Sequence, residues 1–402
     1  MAILHPFKAW HPDSENVEEV ACVPYDVINV AEARTLAEGK PNSFLHVIRP
    51  EIDLPEGTDP HDDEVYEKGA ENLKKLLSNN TLKQDEETHI YVYRLIRNGQ
   101  PQTGIFACVS VDDYDEDVIL KHELTRPDKE DDRTRHILTQ EAHAEPVMIT
   151  FKDDATTKEL IDETVNQEPL FNFEAPDGVV HQVWRAENTG DFVEAFKSIP
   201  KLYIADGHHR CKSASRAASE KKKQNPGHTG DEEYNFFPAV IFPMSDMNIL
   251  AYNRTIYNIP DGFLEKLKKK FTLVANASPT PTQKGEISIY IDGQWFGMQL
   301  PLDDDPDSVE QLDVYRLQEY LLSPLLNITD PRRDENISFV GGIRGTGELE
   351  RLVDEGKADM AISMYPTSIE ELVNVSDEGK LMPPKSTWFE PKLRSGLLVH
   401  TF

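Results

Sequence analysis

Two dipeptides constrain this chain's fold most. Asn98-Gly99 divides "HIYVYRLIRNGQPQTGIFACVSV" into two alternating apolar and polar runs, and Asp292-Gly293 divides "ISIYIDGQWFGMQL" in the same way. A two-residue hairpin turn needs positive φ at its centre, which these pairs supply, so each stretch is predicted to be a β-hairpin. Between residues 62 and 77, Tyr66, Ala70, Leu73 and Leu77 recur near helical spacing, as do Phe263, Leu264 and Leu267 in "GFLEKLKKKF". Strands and helices alternate without repeats or low-complexity tracts, which predicts a mixed α/β (α+β) protein. A chain of 402 residues exceeds the usual size of one core. We expect an N-terminal α/β region over 1–115, a core over 116–258 and a C-terminal α/β region over 259–402.

Charge and cysteine usage exclude several classes of function. Forty-two Lys and Arg stand against seventy-two Asp and Glu, a formal charge of -30, which repels phosphate backbones and anionic lipid surfaces. Cys22, Cys108 and Cys211 are too few and too scattered for a disulfide framework or a zinc site. No apolar run reaches the length of a membrane span, and "MAILHPFKAWHPD" lacks the layout of a signal peptide. The expectation is a soluble cytoplasmic protein without nucleic-acid or membrane partners.

Three stretches carry chemistry. In "YIADGHHRCKSAS" a β-branched and aromatic run stops at Asp206-Gly207, and His208, His209 and Arg210 follow just as a helix begins. With Asp206 as N-cap, the first-turn amides and the helix dipole form an anion site, Gly207 admits the ligand, and Arg210 adds forked donors for phosphate oxygens. A strand-turn-helix junction with solvated polar residues is the plain alternative. On the anion-site reading, losing Arg210 weakens phosphate binding and leaves the fold almost untouched. In "KHELTRPDKEDDRTRH", His122 and Glu123 end the strand "DVIL"; Glu123 is placed to take a proton from a hydroxyl, or the segment is a charged helix start in which Arg126, Asp128, Glu130 and Arg133 form surface pairs. In "LMPPKSTWFEPKLRSGLLVH", Pro383 and Pro384 hold the chain extended, and Lys385, Ser386 and Thr387 present an ammonium and two hydroxyls that suit a carboxylate or phosphate. "FVGGIRGTGE" reads as a Gly-rich turn matching no nucleotide fingerprint, and Tyr25 and Trp184 read as core aromatics.

These stretches also carry a resemblance. "LYIADGHHR" resembles the motif of the free serine kinases in the ParB/sulfiredoxin superfamily, and the whole chain resembles the bacterial and archaeal family called domain of unknown function 1015. The order supports this: a His-Glu pair, then Asp-Gly-His-His-Arg, then Pro-Lys-Ser-Thr, here His122-Glu123, Asp206 to Arg210, and Pro384 to Thr387. The kinase-like part covers approximately residues 116 to 402. The resemblance implies a ParB/sulfiredoxin-like nucleotide-binding core at 116–258 with additional N- and C-terminal regions, the latter a substrate region. It implies Glu123 as catalytic carboxylate, with His209 beside it. Asp206, Gly207, His208, His209 and Arg210 would hold the nucleotide phosphates, and His122, Lys385, Ser386 and Thr387 the substrate. Sulfiredoxin chemistry needs a cysteine where this chain has His208. The kinases' substrate-binding aromatic has no clear match, with Tyr252 and Tyr257 as substitutes.

The function implied is phosphoryl transfer between a nucleotide, ADP or ATP, and free serine or O-phosphoserine, with Mg²⁺ bridging the phosphates, in either direction. A phosphoserine phosphatase and a non-catalytic nucleotide-binding regulator are the alternatives from other classes.

Overall fold

The structure, a computed structural model, describes residues 1–402. The chain divides into two compact units, residues 1–247 with 391–402 (unit 1) and residues 248–390 (unit 2). Both contain helices packed on sheets, so the protein is mixed α/β. No helix is long and apolar enough to cross a membrane.

Unit 1 is built on a nine-stranded sheet of β1 (Leu4–His5), β2 (Tyr91–Arg97), β3 (Gln100–Ser110), β4 (Ile119–Leu120), β5 (Val147–Phe151), β6 (Phe171–Glu174), β7 (Val180–Arg185), β8 (Leu202–Asp206) and β9 (Phe236–Pro243). The order across the sheet is β4-β8-β5-β9-β3-β2-β7-β6, with β1 beside β3. The pairs β4–β8 and β5–β9 are parallel, and the rest are antiparallel. Asn98 at φ +51° and Gly99 at φ +76° close the hairpin β2–β3 as the sequence predicts. β3 is buried from Gln102 to Ser110 and hydrogen-bonds to β9, so strands from both sides of residue 115 share one sheet. That expected boundary therefore falls inside unit 1.

Three helices matter for the site: α1 (Asp63–Ser78), α2 (Pro127–Gln140) and α3 (His208–Gln224). α1 buries Val65, Tyr66, Gly69, Leu73 and Leu76, a stripe beside the one expected, so Ala70 and Leu77 are only half-buried. α3 lays Cys211, Ala214 and Ala218 onto the sheet core of Ile105, Val147, Ile149, Ile204 and Ile241. Small side chains there let a helix axis approach a sheet closely.

Unit 2 carries an all-antiparallel six-stranded sheet of β10 (Tyr252–Ile256), β11 (Leu273–Ala275), β12 (Glu286–Ile291), β13 (Gln294–Gln299), β14 (Ile337–Gly341) and β15 (Met360–Met364), in the order β11-β13-β12-β15-β10-β14. Asp292 at φ +51° and Gly293 at φ +72° turn the second expected hairpin. The helices α4 (Phe263–Lys270) and α5 (Asp313–Leu317) bring Phe263, Leu267, Val314 and Leu317 to its core.

All thirteen histidines lie in unit 1. Desolvation is the main force on seven of them, His122, His136, His143, His181, His208, His209 and His400, and it holds each below its ordinary value, His122 to about 4 and His181 to about 3. His46 moves the other way, raised by its hydrogen bond to Asp53. A depressed histidine contributes stability above its unfolded value near 6.5, and that contribution is lost as pH falls toward the folded value. For His122 the loss is about 2 kcal/mol by roughly pH 5. Thermal unfolding at pH 5.5, followed calorimetrically in buffers of different ionisation enthalpy, is therefore expected to take up several protons, and unit 1 is the part to fail first in acid. Unfolding without proton uptake would contradict this account.

Candidate functional site

The site grows from the end of β8. The β8–β5 register shifts between Ile204 and Asp206, so the strand leaves the sheet irregularly. Gly207 then takes φ +102°, which a side chain tolerates badly, and a Cβ there would lie 3.1 Å from both Arg210 Nε and Val147 Cγ1. α3 starts at His208 with Gly207, not Asp206, in the N-cap position, and no side chain caps it. Asp206 is thus not the expected cap. It is still the last strand residue, and its carboxylate turns to Lys392 Nζ at 3.2 Å and Arg210 Nη2 at 3.7 Å.

The structure ties two of the sequence motifs together. The His122 N–H donates to His208 Nε2 at 3.3 Å, and the Arg126 N–H donates to His209 Nε2 at 3.1 Å. The His122 and His208 rings meet edge-to-face, centroids 4.3 Å apart. Glu123 lies between the two tie points and is half-buried. Only a neutral imidazole offers Nε2 as an acceptor, so both rings carry their proton on Nδ1. Burial supplies this neutrality by pushing both histidines down. His122 is 2 % exposed, and its Nδ1 has no hydrogen-bond partner.

Behind the turn lies a charged layer. Arg210 is buried, and its Nη1 donates to the Pro146 carbonyl. Burial works against its charge, but Asp26, Asp206 and Glu145 more than offset this and hold it protonated. Burial likewise opposes the Asp206 carboxylate, yet Lys392 and then Arg210 hold it well below the usual range. Glu145 is pushed up by burial against the pull of Arg210 and Arg133, and it accepts from the Tyr25 N–H at 3.1 Å. Arg133 pairs with Asp132 at 2.7 Å and lies over the Tyr25 ring, 4.1 Å from its centroid.

These contacts correct several expectations. Arg133 is 8 % exposed and makes no surface pair, because Tyr25 and Asp132 enclose it, whereas Arg126 and Asp128 do form an exposed pair at 2.8 Å. Arg210 is built into the fold, so its loss cannot leave stability untouched. Trp184 is a core aromatic as expected, donating to the Gln167 carbonyl. Tyr25 is buried too, but as the platform for Arg133. Asp26, Glu145 and Lys392 went unrecognised in the sequence. Lys392 meets Asp206 across 186 positions, and no local spacing signals that contact.

Lys385, Ser386 and Thr387 lie in unit 2. The segment is a turn and not extended, with Lys385 at φ +60°. The two hydroxyls are not presented side by side, because Ser386 Oγ donates to the Pro383 carbonyl at 2.6 Å. Lys385 Nζ stands over the Tyr252 ring, 5.4 Å from its centroid, and Trp388 meets the same ring edge-to-face. Tyr257 contacts Thr255 Oγ1 through its hydroxyl. The Gly-rich stretch "FVGGIRGTGE" packs closely on the protein itself, since a Cβ on Gly341 would sit 2.7 Å from the Trp388 ring.

No group of three His, Cys, Asp or Glu side chains is gathered to hold a metal ion. Mg²⁺ bound to nucleotides commonly needs only one or two carboxylates, but the carboxylate at this turn, Asp206, is already engaged by Lys392 and Arg210.

No curated protein matches the chain. Similar solved structures include a free serine kinase in complex with AMP, at 14% identity and TM-score 0.36 over 71% of this chain and 86% of that one. A free serine kinase mutant in complex with ADP gives 14% and 0.35 over 71% and 87%. A C-terminally truncated SbnI from Staphylococcus aureus gives 14% and 0.38 over 73% and 87%. Overlaps this loose assign no activity. The family model described as "Protein of unknown function (DUF1015)" matches residues 4–315 of the 402, and the chain belongs to that family.

Proposed function

We propose that the protein is a nucleotide-dependent phosphotransferase acting on the hydroxyl of free serine, or on O-phosphoserine in reverse, in a ParB/sulfiredoxin-like core. One observation carries the reading: the segment bearing Glu123 is hydrogen-bonded at both ends to His208 and His209, on the turn that opens α3. The backbone that carries Glu123 is thereby tied to a helix start suited to phosphate oxygens, which supports the reading because phosphoryl transfer needs chiefly positioning and charge neutralisation.

In this proposal the amides of His208, His209 and Arg210 hold nucleotide phosphates, and Gly207 keeps the approach clear. Arg210, committed in part to Pro146 and Asp206, contributes its charge from behind the turn. Glu123 is the general base, His209 assists beside it, and His122 positions the segment through its ring contact with His208. Mg²⁺ would neutralise phosphate charge, carried on the phosphate oxygens and water. The acceptor role of Lys385, Ser386 and Thr387 rests on motif order alone.

Glu123→Gln keeps the shape but cannot take the proton. Turnover of serine or phosphoserine, read by mass spectrometry across nucleoside mono-, di- and triphosphates, is expected to fall at least about 100-fold, with nucleotide affinity and melting temperature near the parent's. Retained turnover would sink the base assignment, and phosphate release without nucleotide would make the protein a phosphatase. Arg210→Ala behaves differently, because it strips the half-buried Asp206 and the enclosed side chain of Glu145 of a counter-charge. Its expected cost is about 3 to 5 kcal/mol in chemical denaturation, with nucleotide binding weakened as well. A variant as stable as the parent would show that the buried layer is not the support described above.

A further inference from the structure

Unit 2 contains a buried arginine that differs from Arg210 in one respect: no carboxylate faces it. Arg254, in the interior strand β10, is 2 % exposed. Its Nη1 donates to the Tyr252 carbonyl and its Nη2 to the Lys385 carbonyl at 3.0 Å, while the guanidinium lies 5.5 Å from the Phe339 ring centroid. All three partners are uncharged. Burial alone dominates its titration and drives it down to about 10, with only Tyr252 pulling the other way. A buried cation without a counter-charge is costly, and proteins tolerate one mainly where a ligand supplies the missing charge.

Arg254 borders a pocket of ≈ 260 Å³. The acid on its lining, Asp330, is already engaged by Arg332 Nε at 2.9 Å. Gln318 lines the same pocket, and its Oε1 is buried without a hydrogen-bond partner while its Nε2 donates to the Ile328 carbonyl at 2.7 Å. Gln318 opens the segment Gln318–Leu322, which is wound as a π-helix, a departure from α-geometry that recurs at functional sites. The rest of the lining is largely apolar, with Val314, Leu322, Ile337 and Pro383 among it. The pocket thus offers one unbalanced positive charge, one unused acceptor and a small apolar body.

We propose that this pocket binds a small amino- or hydroxy-carboxylate, its carboxylate on Arg254 and its ammonium or hydroxyl on Gln318 Oε1. A planar carboxylate matches the planar fork of the guanidinium, which tetrahedral phosphate does not, and Gln318 requires a donor on the ligand, which acetate lacks. The site stands on unit 2 alone and does not rest on the nucleotide reading of unit 1.

The test is a thermal-shift and calorimetric titration of the full chain with sodium L-serine, sodium L-lactate, sodium acetate, serinamide and inorganic phosphate, and separately with ADP. Serine and lactate are expected to bind and raise the melting temperature, acetate to bind more weakly, and serinamide and phosphate to have no effect. Arg254→Met is expected to weaken serine and lactate binding at least about 10-fold, the scale of a lost charge-assisted hydrogen bond. Gln318→Leu is expected to weaken serine and lactate while leaving acetate unchanged, a split that a purely structural glutamine would not produce. Should Arg254→Met fail to fold, Thr329→Trp, at the exposed rim of the pocket, is expected to abolish binding with Arg254 intact. No response to lactate, a response to phosphate or serinamide alone, or lactate binding that survives both Arg254→Met and Thr329→Trp overturns the proposal. ADP binding in these variants is expected to match the parent's, so loss of ADP binding in the parent chain counts against the phosphotransferase reading and not against this pocket.

Discussion

Two main-chain N–H groups, those of His122 and Arg126, donate to imidazole nitrogens on the first turn of α3, and both bonds require neutral rings. Desolvation provides that neutrality, and it comes from the close packing of α3, whose small residues allow a helix to lie flat on the sheet. The same burial that makes Cys211 inert, with its thiol pushed up to about 12, makes His208 a dependable acceptor. The site geometry and the acid sensitivity of unit 1 therefore share one cause.

The two buried arginines show how one residue type serves two purposes. Arg210 lies among Asp26, Asp206 and Glu145, and its charge is matched inside the fold. Arg254 has two carbonyls and an aromatic face, and no carboxylate pairs with it. Overall charge does not distinguish them, because a formal -30 is carried mostly at the surface and is screened there. What separates them is the set of groups within a few ångströms.

The parts legible in the sequence are those with short-range physics. Asn98-Gly99 and Asp292-Gly293 turn hairpins because few other pairs accept positive φ twice in succession. The strand-turn-helix at 202–224 is likewise written in adjacent residues. The misreadings are long-range. Asp206 looks like an N-cap until Lys392 and Arg210 claim its carboxylate, and Arg133 looks exposed until Tyr25, a hundred positions earlier, covers it. Domain limits followed the same rule. The burial of β3 by β9 joins segments that composition alone would separate at residue 115.

The central claim, that the Gly207 turn is where a nucleotide docks, is tested most directly by hydrogen–deuterium exchange with and without saturating ADP. The account predicts slower exchange in the peptide spanning 206–211 and, through the bonds from His122 and Arg126, in 121–126, with the hairpin at 286–299 unchanged. Unaltered exchange at 206–211 while ADP is bound would place the nucleotide elsewhere and contradict the account.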